Sequence, residues 1–124
     1  MPYEVYKIMH IIGLVAVWGA LGGATLHAMN GGTRASNPSR GLVAATHGTG
    51  LFLMLLGGFG MLAKLGQSPA QGWVIAKVVL WLAVGGLLAE PLRKPELAKP
   101  LWIVMPLVAG LGAWIALMKP FTAG

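Results

Sequence analysis

The chain has 124 residues, of which 56% are hydrophobic and only 10% charged, with a formal net charge of +6 and a mean hydropathy of +0.75. A soluble domain of this size would lack the polar surface to cover itself, so the composition defines an integral membrane protein. The absence of cysteine excludes disulfides, thiolate metal ligands, iron–sulfur clusters and covalent haem attachment. The basic residues are scattered over loops and helix ends, a pattern that suits anionic lipid headgroups and not nucleic acid.

Four apolar stretches follow one another: Val5 to Met29, Leu42 to Leu65, Gly72 to Ala89 and Ala98 to Met118. Each is near the ~20 residues that carry a helix across a bilayer core. Continuous apolar runs such as Ile11 to Val17 do not alternate, which excludes a barrel and leaves helices. The first stretch is longer than a signal-peptide core and contains His10, so it reads as a retained helix. Asn30-Gly31-Gly32 is a helix stop, Asn37-Pro38-Ser39 a turn and cap, and Gln67-Ser68-Pro69 a break. Pro91, Pro95 and Pro100 punctuate the third connection, where Glu90 and Arg93 are spaced for a local ion pair. Connections this short predict one domain, residues 1–124: an all-α, antiparallel four-helix transmembrane bundle.

Four crossings put both termini on one side, here side A. Side A receives Lys7, Lys64 and Lys119; side B, with the first and third loops, receives Arg34, Arg40, Arg93, Lys94 and Lys99. The excess at side B leans towards cytoplasmic loops and external termini in a bacterial inner membrane. Inside the spans, Gly19 and Gly23 form a GxxxG pair and Gly57, Gly58 and Gly60 a cluster, both read as sites of close helix approach. Pro106 is expected to disturb the fourth helix. Trp73, Trp102, Tyr3 and Tyr6 suit the membrane interfaces, whereas Trp18 and Trp81 lie deeper, where an indole N–H needs a partner.

The polar residues within the spans carry the functional argument, because lipid makes each of them costly without a partner. His10, Gly13, Val17, Ala20, Ala24 and His27 form one stripe at helical spacing, with the histidines ~26 Å apart in opposite leaflets. On side B, His27 ends the first helix and His47 begins the second, so the two imidazoles are candidate axial ligands of a b-type haem or ligands of another metal. On side A, His10 and Lys77 lie at matching depth with Met61 not far off. That group is a candidate for binding a porphyrin carboxylate or quinone headgroup, or for a His/Met haem ligand pair. The structural alternatives are ordinary ones: a snorkelling lysine, histidines bonded to carbonyls, and methionines as apolar filling.

The segment YKIMHIIGLVAVWGALGG, residues 6–23, resembles the first helix of small four-helix bacterial membrane proteins of the HemJ-type protoporphyrinogen oxidase, SirB-type and CopD-type groups. GWVIAKVVLW, residues 72–81, is similar to the HemJ-type third helix, with a lysine after a tryptophan. The resemblance covers about a quarter of the chain and implies a haem or porphyrin role for His10 with Lys77 in support. The HemJ-type Pro-Arg in the second half of the first helix is replaced here by Gly22-Gly23-Ala24-Thr25, a departure that weakens the transfer of that oxidase activity to this chain. His47-Gly48 and the run from Gly58 to Gly66 resemble segments of other short membrane proteins.

The only acidic residues, Glu4, Glu90 and Glu96, lie at span ends, and there is no Ser-His-Asp set, carboxylate pair or phosphate loop, so hydrolysis and ion pumping are not expected. Two readings remain. In one, the protein binds haem b or a porphyrin between its helices for electron transfer or porphyrin oxidation. In the other, it is a non-catalytic subunit or homo-oligomer in the bilayer, packing against other membrane subunits, with its histidines structural.

Overall fold

The computed structural model describes residues 2–33, 35–87 and 95–120. It is all-helical, with α1 over Tyr3–Met29, α2 over Arg40–Leu65, α3 over Gly72–Leu87 and α4 over Ala98–Met118, the last entered through a 3-10 turn at Pro95–Leu97. The expected spans are found with ends shifted by two residues at α1 and α2, within the usual fraying of helix boundaries. Residues 88 and 89 of the third span, and the Glu90/Arg93 pair, lie outside the described residues. By length and composition, α1, α2 and α4 can each cross a membrane, while α3 is a shorter apolar helix.

The turns follow from local chemistry. At the end of α1, Gly31 adopts φ of 83°, and the amides of Asn30, Gly31 and Gly32 close on the last carbonyls of the helix. Before α2, the Asn37 side chain accepts the Ser39 amide at 2.9 Å, a local turn that starts the helix; the Ser39 side chain itself makes no cap bond. Gly66 ends α2 with φ of 67°, a conformation that costs a larger residue more.

Packing is uneven around the bundle. The α1–α2 seam is by far the most extensive, α4 packs on both α1 and α3, and α2 meets α3 along a shorter contact. The first seam is made by glycine, as small residues allow when no hydrophobic force drives helices together in lipid. A Cβ on Gly13 would lie 2.5 Å from the Gly50 carbonyl oxygen, and one on Gly57 2.5 Å from the Tyr6 oxygen. The Gly19/Gly23 pair does not take part in this seam, contrary to the expectation from GxxxG: no atom of the described residues stands within 4 Å of a Cβ at either position. The stripe that packs is instead Gly13, Val17, Ala20 and Ala24, all buried, because helix rotation is set by the larger contact with α2.

Two apolar clusters fill the interior. Val17 and Leu21 of α1 meet Val84 of α3 and Met105 of α4; towards side A, Leu62, Trp73, Val74 and Ile115 form a second group. Trp73, one residue into α3, packs inside the bundle at 8% exposure. The two deep indoles have partners as expected: Trp18 Nε1 donates to the Met105 carbonyl at 2.9 Å and Trp81 Nε1 to the Leu51 carbonyl at 3.0 Å. Pro106 stands inside a continuous α4, directly after the carbonyl that Trp18 uses. Large apolar side chains such as Val15, Leu42, Phe52, Leu107 and Leu117 point outward, where lipid and not water is the fitting solvent.

A cavity between His10 and Lys77

At the side-A end, all four helices surround a cavity of about 200 Å³ whose lining includes His10, Met54, Met61, Lys77 and Trp81. It runs from Tyr3, Gln67 and Lys119 at the membrane surface down to Met54 and Trp81, roughly one leaflet deep by helix rise. The sequence-derived side-A group thus faces one space. His10 comes from α1, Met61 from α2 and Lys77 from α3, and His10 and Lys77 are close enough to interact electrostatically.

Each polar group is set by its helix. The His10 backbone abuts Gly57, so α1 and α2 approach closely here and the imidazole reaches across the seam, where its Nδ1 meets the Met54 carbonyl oxygen at 2.7 Å. A carbonyl only accepts, so Nδ1 carries the hydrogen and the neutral ring has its lone pair on Nε2. No hydrogen-bond partner meets Nε2 among the described residues. A histidine bonded through one nitrogen to a backbone carbonyl, with the other unengaged, is the arrangement that orients an imidazole towards a ligand. Gly58 lies beside it: a Cβ there would stand 3.5 Å from Nδ1, so the missing side chain leaves room next to the ring.

Lys77 lies half-buried on α3. Among the described residues it has neither hydrogen bond nor ion pair. Trp73 and Trp81, four residues to either side, line the same cavity, so one face of α3 presents indole, ammonium and indole in succession. The sequence signal for this stripe is the i, i+4, i+8 spacing around Lys77, which the separate readings of Trp73 as an interface residue and Trp81 as a deep indole needing a partner do not use. At the mouth, Lys119 lies over the Trp73 ring at 5.3 Å, and the Trp73 indole donates to the Gln71 side chain at 2.9 Å.

The side-B histidines have other surroundings. His27 Nε2 lies 3.0 Å from the Thr33 carbonyl oxygen and 3.1 Å from Ser36 Oγ, and its ring covers Gly32, so it braces the first loop. His47 is buried at 4% exposure, near the Val84 carbonyl, and among the described residues its Nε2 has no hydrogen-bond partner. The pairing of Gly50 with Gly13 and Gly57 with Tyr6 and His10 sets the register of α1 against α2. Continued, it places His47 level with Trp18, some nine residues or ~13 Å of rise from His27. The two imidazoles are thus at different depths, and among the described residues no group of three or more His, Asp or Glu side chains converges on a metal position.

No family model, curated protein or solved structure matches the chain. What fold and cavity define is a class: a small helical membrane protein with a largely apolar cavity lined by His10 and Lys77 in its depth and by Lys119 at its mouth.

Proposed function

We propose that this protein binds a lipid-soluble ligand bearing an aromatic or porphyrin-like ring, held in the side-A cavity by His10 and Lys77. The observation that carries this reading is the convergence of His10, Met61 and Lys77, from three helices, on one cavity. An ammonium in a membrane interior without a counter-charge is costly, and a ligand oxygen at Lys77 removes that cost. The chain holds the ligand in place; no bond-making step is assigned to its residues. The proposed setting is a bacterial inner membrane with both termini outside, supported by the excess of basic residues at side B.

Haem b tests the fit most stringently. His10 offers a free Nε2 and Met61 a thioether on the opposite helix, a known type of axial pair. The space is the difficulty: about 200 Å³ is below the ~300–1,000 Å³ that encloses drug-sized ligands, so a whole macrocycle requires α2 and α3 to part. The side-B haem held by His27 and His47 has less support still, given their different depths.

A second reading has its own observation. Gly19 and Gly23 are exposed with none of the described residues opposite them, a small-residue face that supports a role as a subunit or homo-oligomer within the bilayer.

The test is direct. Protein purified in mild detergent, extracted with organic solvent and analysed by mass spectrometry and absorption, is expected to yield a ring-bearing ligand. Lys77→Met is expected to lose most of it. A wild-type preparation with no such molecule, colourless and unchanged on adding haem, would move the function to the subunit reading.

A further inference from the structure

We infer that the occupant of the His10/Lys77 cavity is a single hydroxylated ring, a quinol, bound in preference to its oxidised quinone. This rests on the ligand-binding reading above and specifies its chemistry.

Complementarity of donors and acceptors gives the argument. Lys77 presents an ammonium, which donates and never accepts. His10 presents Nε2, which in the neutral ring accepts and cannot donate, because the hydrogen is fixed on Nδ1 by the Met54 carbonyl at 2.7 Å. The two groups come from different helices and face one space, so a ligand satisfying both must offer an acceptor oxygen to one and an O–H to the other. A quinol does this with its two hydroxyls. A quinone or a carboxylate offers acceptors alone and leaves Nε2 unpaired in an apolar site, a loss that corresponds to about tenfold in affinity.

Shape points the same way. Trp73, Trp81, Phe59 and Tyr3 line the cavity, giving aromatic surface on which a flat ring packs well. Gly58 leaves the space beside His10 open, a Cβ there being 3.5 Å from Nδ1. The volume of about 200 Å³ suits one substituted ring and not a macrocycle. Lys77 lies five residues inside α3, ~8 Å below its start, so a ring at this depth can leave an apolar tail in the surrounding lipid. Preference for the reduced form also has an electrochemical consequence: tenfold tighter binding raises the potential of the bound two-electron couple by ~30 mV.

The experiment is titration calorimetry of the full chain in lipid nanodiscs with duroquinol, duroquinone, decanoate and haemin. Duroquinol is expected to bind about tenfold tighter than duroquinone. His10→Phe is expected to remove that difference while retaining duroquinone binding, and Gly58→Leu, which fills the space beside the His10 ring, to abolish both. The comparison of the two redox forms in the wild type needs no variant to fold. Equal binding of the two, or tighter binding of duroquinone, overturns the inference. Binding of haemin or decanoate without either ring also overturns it but leaves the cavity as a ligand site, whereas binding of none of the four overturns both readings.

Discussion

Gly13 and Gly50 face each other across the α1–α2 seam so closely that a methyl group on either would enter the other's backbone: the added Cβ would stand 2.5 Å from the Gly50 oxygen or 2.8 Å from the Gly13 oxygen. This contact fixes the register that carries His10 to the Met54 carbonyl, and it is a backbone contact that rotamer changes cannot relieve. Gly13→Ala is therefore expected to cost about 1–3 kcal/mol through overpacking. Gly19→Ala and Gly23→Ala, with open space around them, are expected to change monomer stability little. Unfolding in mixed micelles followed by tryptophan fluorescence checks the contrast, and equal effects at Gly13 and Gly19 would refute this packing.

Trp18 and Met105 make the corresponding link between α1 and α4. Trp18→Phe keeps the apolar bulk and removes the N–H that the Met105 carbonyl accepts at 2.9 Å. A loss of roughly 0.5–1.5 kcal/mol is expected, the range of interhelical hydrogen bonds in membranes. A Trp18→Phe protein as stable as the wild type would show that this bond contributes nothing.

His47 separates a structural histidine from a ligand-binding one. Among the described residues its Nε2 is buried without a partner, whereas the ring also bonds the Val84 carbonyl, so His47→Leu removes one unsatisfied polar atom and one hydrogen bond at similar volume and is expected to change stability by no more than about 1 kcal/mol. It is also expected to leave ligand content unchanged. Loss of bound ligand in His47→Leu would return the side-B histidine to the site.

Much of this was legible in the sequence, and the reasons differ from element to element. Helix positions followed from long apolar runs with glycine stops, and depth matching put His10, Met61 and Lys77 on one level, because rise per residue is nearly constant. Rotation about each helix axis was less legible. The GxxxG spacing at Gly19 and Gly23 is a face only if a partner lies opposite, and the position of α2 was decided by Gly13 and Gly50 instead. The same holds for Trp73, whose aromatic character fits both an interface and a core; only its place four residues before Lys77 distinguishes them. His27 and His47 were paired from their distance to helix ends, whereas the loop chemistry of Thr33 and Ser36 and the register of α1 on α2 give each its own surroundings.

Four crossings, with α3 spanning as well as the three longer helices, predict a topology. In this cysteine-free chain, Ala35→Cys and Glu96→Cys are expected to react with a membrane-impermeant maleimide from one face, and Glu4→Cys and Ala70→Cys from the other. Labelling of Ala35→Cys and Ala70→Cys from the same face would contradict a transmembrane α2.

The central claim is that His10 and Lys77 hold a ligand in one cavity, and its most direct test is native mass spectrometry of the protein released from nanodiscs. The wild type and His27→Ala are expected to carry one bound small molecule per chain, His10→Ala to carry it in a minor fraction, and Lys77→Met to lose it. A bound molecule retained equally by His10→Ala and Lys77→Met, or lost only in His27→Ala, would contradict the assignment of the site.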